Sequence, residues 1–112
     1  MNGEMGLNDY QYYSSRTRAV APTHNVELSN YALGLVCEAG EVGDILKKVI
    51  FHGHELDEEE LKKELGDVLW YLSNICNVLG YPLQEVAEMN LEKLLNRYPH
   101  GFNVDDSKNR KE

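Results

Sequence analysis

Glu38 and Glu41 stand three residues apart, Glu64 and Asp67 do the same, and a spacer long enough to reverse the chain separates the pairs. On a helix that spacing turns two carboxylates toward one side. Two such pairs on adjoining helices would converge four oxygen-bearing groups, the donor set of a hard divalent cation. No histidine or cysteine falls in step with them, so Mg²⁺ or Mn²⁺ suits the set better than zinc or copper. A ferritin-like di-iron centre would need Glu-x-x-His on two helices, whereas here the third-residue partners are Glu41 and Asp67.

The faces are wrong for ordinary solvated acids. With Glu38 at zero, a turn of about 100° per residue puts Glu41 at about −60°, Ile45 at about −20° and Val42 at about +40°. With Glu64 at zero, the same turn puts Asp67 at about −60°, Tyr71 at about −20° and Ile75 at about +20°. Both pairs therefore share the apolar stripe of their helix. Desolvating a carboxylate is costly unless it is paired or bound to a metal, and neighbouring carboxylates raise one another's pKa. A bound cation is the simplest compensation.

The elements that must hold these residues are helical almost throughout. The periodicity predicts a first helix over Asn8–Val20, ending at the punctuation Pro22-Thr23-His24-Asn25, and a second from Glu27 to Phe51. A third starts after Asp57, spaced from Glu60 as in a capping box, and runs to Leu79 before Gly80. A fourth runs from Pro82 to Tyr98. No alternating strand pattern appears. The reading is an all-α bundle of four to five helices, with one domain over residues 1–104 and a polar, disordered tail over 105–112.

The chain has 112 residues with 42% apolar and 27% charged, and a net charge of −8, which fits one soluble domain with a real core. Eleven of the acids fall within residues 27–67 against four lysines, so the excess negative charge surrounds the paired carboxylates. That balance excludes a nucleic-acid or anionic-membrane surface, which needs a basic face. No apolar run approaches the roughly 20 residues of a membrane span, and no signal-peptide pattern opens the chain. Cys37 and Cys76 sit in apolar runs and read as reduced core thiols of a cytoplasmic protein.

The stretch Glu38-Ala-Gly-Glu41-Val-Gly-Asp44, then Glu64-Leu-Gly-Asp67-Val-Leu-Trp-Tyr71, resembles the MazG-type nucleotide pyrophosphohydrolases of the all-α NTP pyrophosphatase superfamily. Asn90-Leu-Glu-Lys93-Leu-Leu-Asn-Arg97-Tyr98-Pro99 resembles that family's closing helix. The resemblance implies Mg²⁺ ligands at Glu38, Glu41, Glu64 and Asp67. It implies hydrolysis of a (deoxy)nucleoside triphosphate to the monophosphate and pyrophosphate, clearing unwanted nucleotides. Glu41, or Glu38, would accept a proton from the attacking water. Asn90, Lys93 and Arg97 edge the apolar stripe of the fourth helix, and the resemblance assigns such positions to phosphate or nucleotide contact. A phosphoribosyl-ATP pyrophosphatase is the enzymatic alternative, and a non-catalytic helical interaction module the alternative of a different class.

Other residues carry smaller expectations. Trp70 and Tyr71 are read as core or interface, and His52 and His54 as solvated loop residues. Tyr10, Tyr12 and Tyr13 are expected to pack the first helix, with Arg16 and Arg18 facing water or a partner. Gly34, Gly40, Gly43 and Gly66 suggest close helix approach or room for a ligand. Val68–Leu72 and Tyr31–Cys37 are apolar on every side of their helices, more than a small bundle can cover internally. The chain is therefore expected to self-associate, as the resemblance also implies, with a homotetramer favoured over a homodimer.

Overall fold

In a computed structural model, residues 3–19 and 21–110 are described. The fold is all-α: α1 spans Leu7–Ser15, α2 His24–Phe51, α3 Glu58–Leu79, α4 Leu83–Arg97 and α5 Val104–Lys108.

Local chemistry explains the boundaries. Thr23 accepts the Val26 N–H at 3.2 Å and starts α2 three residues earlier than the apolar pattern suggested. Asp57 accepts the Glu60 N–H at 3.1 Å and starts α3. Gly80, at φ 76°, ends it, while the Tyr81 N–H reaches back to the Cys76 carbonyl at 2.9 Å.

Helix α1 stops at Ser15, short of the expected end at Val20, which lies outside the described residues. The hydroxyls of Ser14, Ser15 and Thr17 each donate to the carbonyl three residues back, bonds that compete with helix continuation. Residues 104–108, at the start of the expected polar tail, form α5, where Asn103 accepts the Asp106 N–H at 2.7 Å.

Helices α2 and α3 form an antiparallel hairpin. Tyr31 meets Trp70 edge-on at 5.5 Å between ring centroids, and the Tyr71 ring lies so close to Gly34 that a Cβ there would overlap it. Of the four glycines expected to serve close approach or a ligand, Gly34 alone is packed this way; Gly40, Gly43 and Gly66 face open space.

Helix α1 runs antiparallel along α3 through a polar seam. Ser14 Oγ and Ser73 Oγ share a hydrogen bond of 2.7 Å, Asn74 donates to the Ser14 carbonyl at 3.3 Å, and Trp70 Nε1 donates to Thr17 at 2.7 Å. Ser73 and Asn74 are the most deeply buried residues, at 0% exposure. The expected tyrosine packing is thus corrected for two of the three: Tyr10 is half-buried, but Tyr12 and Tyr13 are exposed, and hydroxyls and amides dock α1. Arg18 does not face open water but pairs with Glu27 at 3.1 Å. Glu27 also accepts from the buried Tyr31 hydroxyl, and burial followed by that bond pushes the phenol up to about 12. Cys76 is buried as expected, whereas Cys37 is an exposed thiol rather than a core one.

The core is thin. Among the described apolar residues, Tyr31, Cys76 and Leu83 are buried, while Leu33, Val36, Ile50 and Leu95 are each about two-thirds exposed. The accessible surface is 8465 Å². A compact monomer of this mass exposes about 6,300 Å². The radius of gyration is 17.2 Å, against about 13 Å for a compact chain of this length.

Candidate metal centre

The α2–α3 hairpin sets Glu38 opposite Glu64. One carboxylate oxygen from each of Glu38, Glu64 and Asp67 lies within 4.8 Å of the other two. Glu38 and Glu64 are half-buried against the helix contact, and Asp67 is exposed at its edge.

Two observations concern Glu64 in particular. Its Oε2 is shielded from water and accepts no hydrogen bond. Its pKa is raised above the usual carboxylate range, first because the Glu38 carboxylate can bond to it only across a retained proton. Lost hydration and the negative charges of Glu38 and Asp67 push it the same way. A shielded acceptor without a donor, beside two more carboxylates and no nitrogen or sulfur donor, fits a hard divalent cation.

The structure brings together three of the four expected ligands. Glu41 is exposed one turn beyond Glu38 and lines a neighbouring polar cavity of about 250 Å³ with Asp44, Lys48, His54, Asp57 and Glu60. Within it Lys48 pairs with Asp44 at 2.8 Å, and the bond raises the lysine and lowers the acid. Glu41 thus adjoins the three-carboxylate group without joining it.

Asn90 and Lys93 line an open groove of about 400 Å³ with Met89, Glu92 and Asn96, and Arg97 is half-buried near the end of the helix. Helix α4 packs chiefly on α1, and its apolar residues Met89, Leu91, Leu94 and Leu95 are exposed. Trp70 and Tyr71 pack between helices, and His52 and His54 are exposed in the α2–α3 loop.

Two α1 residues have contacts that the sequence reading did not anticipate. Tyr10, half-buried on α1, has its phenol raised by burial and then by the charge of Asp67. Gln11 bonds to the main chain at the start of α4. No spacing rule marks either residue, because both contacts are tertiary.

Carboxylates converging from an antiparallel helix pair define an all-α protein with an acidic, cation-adapted centre. The chain belongs to the MazG nucleotide pyrophosphohydrolase domain family, which matches residues 27–102. Over 78 residues, 66% of this chain and 68% of the relative, it is 37% identical to the Gene 37 protein of Mycobacterium phage L5. No solved structure matches it. No helix among the described residues is long and apolar enough to cross a membrane. The family generally acts on nucleotide pyrophosphate bonds and is typically metal-dependent. Helix α1 lies outside the matched segment.

Proposed function

We propose that the chain hydrolyses (deoxy)nucleoside triphosphates to the monophosphate and pyrophosphate with Mg²⁺, as a cytoplasmic enzyme that clears surplus or unwanted nucleotides. The observation that carries this reading is the convergence of Glu38, Glu64 and Asp67 around the shielded, donorless Glu64 Oε2. When bound there, a divalent cation would neutralise phosphate oxygens and make water more acidic.

The chain's own residues would do the rest. Glu38, Glu64 and Asp67 hold the charge that attracts the cation, so an anionic triphosphate binds only after or together with it. Glu41, outside the group yet beside it, would accept a proton from the attacking water. Asn90, Lys93 and Arg97 bind the phosphates or nucleotide.

Self-association completes the reading. The surface in excess of a compact monomer is about 2,200 Å² per copy, or about 4,400 Å² for a pair, the size of an obligate interface. The exposed apolar residues of α2 and α4 are its natural contents.

Pyrophosphate release across a panel of nucleoside triphosphates, with Mg²⁺ and with chelator, tests the activity. Turnover of phosphoribosyl-ATP alone would indicate the biosynthetic alternative. Absence of any turnover would leave an interaction module.

A further inference from the structure

Helix α4 begins without a cap of its own. Pro82 precedes it and offers no side-chain acceptor, so the first amides need partners from elsewhere. Gln11 of α1 supplies one. Its Oε1 accepts the Leu83 N–H at 2.7 Å, and its Nε2 donates to the Tyr81 carbonyl at 2.8 Å. One carboxamide therefore grips the main chain on both sides of Pro82.

The grip is itself anchored. The Gln11 carbonyl accepts from Asn77 Nδ2 at 3.2 Å, and one turn on, the Ser14–Ser73 bond of 2.7 Å is buried. Helix α1 is thus fixed to α3, which carries Glu64 and Asp67, and holds the start of α4, which carries Lys93 and Arg97. It bridges the acidic and basic halves of the proposed site.

We propose that Gln11 is a positioning residue: its carboxamide clamp sets the direction of α4 and with it the places of Lys93 and Arg97 toward substrate phosphates. This rests on the reading that those cations bind phosphate. The leverage is large. At about 1.5 Å rise per residue, Lys93 and Arg97 lie about 15 and 21 Å beyond Leu83. A tilt of only about 3° at the clamp moves them by about 0.8 and 1.1 Å, and a misplacement of about 1 Å can cost an enzyme as much as roughly 100-fold. Gln11 lies before the segment matched by the family, residues 27–102, and its partners Tyr81 and Leu83 lie within it.

The test uses the full chain with Q11M and Q11E. Methionine keeps the length of the side chain and loses both bonds. Glutamate keeps the acceptor for Leu83 and loses the donor to Tyr81. Two readouts are taken: amide hydrogen exchange along α4, and KM and kcat for a triphosphate that the unaltered protein hydrolyses. Mn²⁺ affinity reports the carboxylates separately. In Q11M, α4 amides are expected to exchange about 10-fold faster and KM to rise about 10-fold with a smaller change in kcat. Q11E should fall between Q11M and the unaltered protein, and Mn²⁺ affinity should stay put in both. Unchanged KM in Q11M overturns the proposal, whether or not exchange quickens, and so does a loss of Mn²⁺ affinity equal to the loss in KM. If the unaltered protein hydrolyses no triphosphate, the functional reading fails and this role in catalysis falls with it. The exchange data then report whether the clamp holds α4 for structural reasons alone.

Discussion

The carboxyl groups of Glu38 and Glu64, on opposite helices of a hairpin, come together with Asp67 inside a 4.8 Å group. The bond to Glu38, lost hydration and the neighbouring negative charges all raise the Glu64 pKa above the ordinary glutamate value. Glu64→Gln removes one negative charge from the group and can supply a donor to its partner. The metal-free variant should therefore be at least as stable as the unaltered protein in chemical denaturation, while Mn²⁺ affinity and triphosphate turnover are lost. Clear destabilisation without metal would count against mutually repelling carboxylates. Glu58→Gln, exposed in the first turn of α3, should change neither property.

The same contact sets a pH dependence. The folded state binds the Glu64 proton more tightly than the unfolded chain, so this group favours folding below the ordinary glutamate pKa of about 4.3. That contribution is lost as pH rises through the raised folded value. Metal-free protein should accordingly lose part of its stability between the acidic range and neutrality, and saturating Mg²⁺ should flatten that part of the curve. Glu64→Gln should lose the slope as well. Urea melts across pH, with and without Mg²⁺, measure all of it.

Much of this centre could be read from residue types alone. The wheel angles of Glu38 and Glu64 relative to Ile45 and Tyr71 forecast acids on the apolar side of α2 and α3, and both are half-buried there. The Asp57 cap and the Gly80 stop are local chemistry and stand where the sequence put them. Spacing treats the four acids alike, whereas the structure groups three of them and sets Glu41 one turn along α2 from Glu38, in the adjoining cavity. The docking of α1 was misread. Tyrosines are the larger apolar groups, but Ser14 and Ser73 pair their hydroxyls and Asn74 donates to the Ser14 carbonyl, so these polar groups are buried with partners. The early end of α1 and the short α5 depend on side-chain bonds to the main chain that apolar periodicity does not register.

Gly34→Ala should destabilise the protein. Alanine gains about 1 kcal/mol in helix propensity over glycine. The new methyl would overlap the Tyr71 ring, and such overpacking costs about 1–3 kcal/mol. The steric term wins. The same substitution in a Tyr71→Ala background should be neutral or stabilising, so a double-mutant cycle by thermal melts isolates the contact. An unperturbed single variant would show that Tyr71 can move aside without loss.

Lys93→Ala and Arg97→Ala should each raise KM for the triphosphate and lower kcat, since phosphate charge is held in both the bound and the transition state. The loss should be milder than for Glu64→Gln, and Mn²⁺ affinity measured without nucleotide should not change. Steady-state kinetics on folded variants decides it. If both variants behave as the unaltered protein, the phosphate assignment on α4 is wrong.

The apolar surface of α4 gives the sharpest test of self-association. Leu95 is 66% exposed in the single chain. A surface substitution at such a site ordinarily changes stability by no more than about 0.5 kcal/mol. If the excess surface is instead an interface, Leu95→Glu buries an unpaired charge there, and removing one from water costs several kcal/mol. The two cases diverge in mass as well as in stability. Light scattering of the unaltered chain at micromolar concentration should give two or four times its 12.8 kDa, with four favoured because α2 and α4 both carry uncovered apolar residues. Leu95→Glu should shift that mass down and lower the melting temperature in a concentration-dependent way. An unaltered chain at 12.8 kDa would refute self-association, and a Leu95→Glu variant with full mass and stability would remove α4 from the interface.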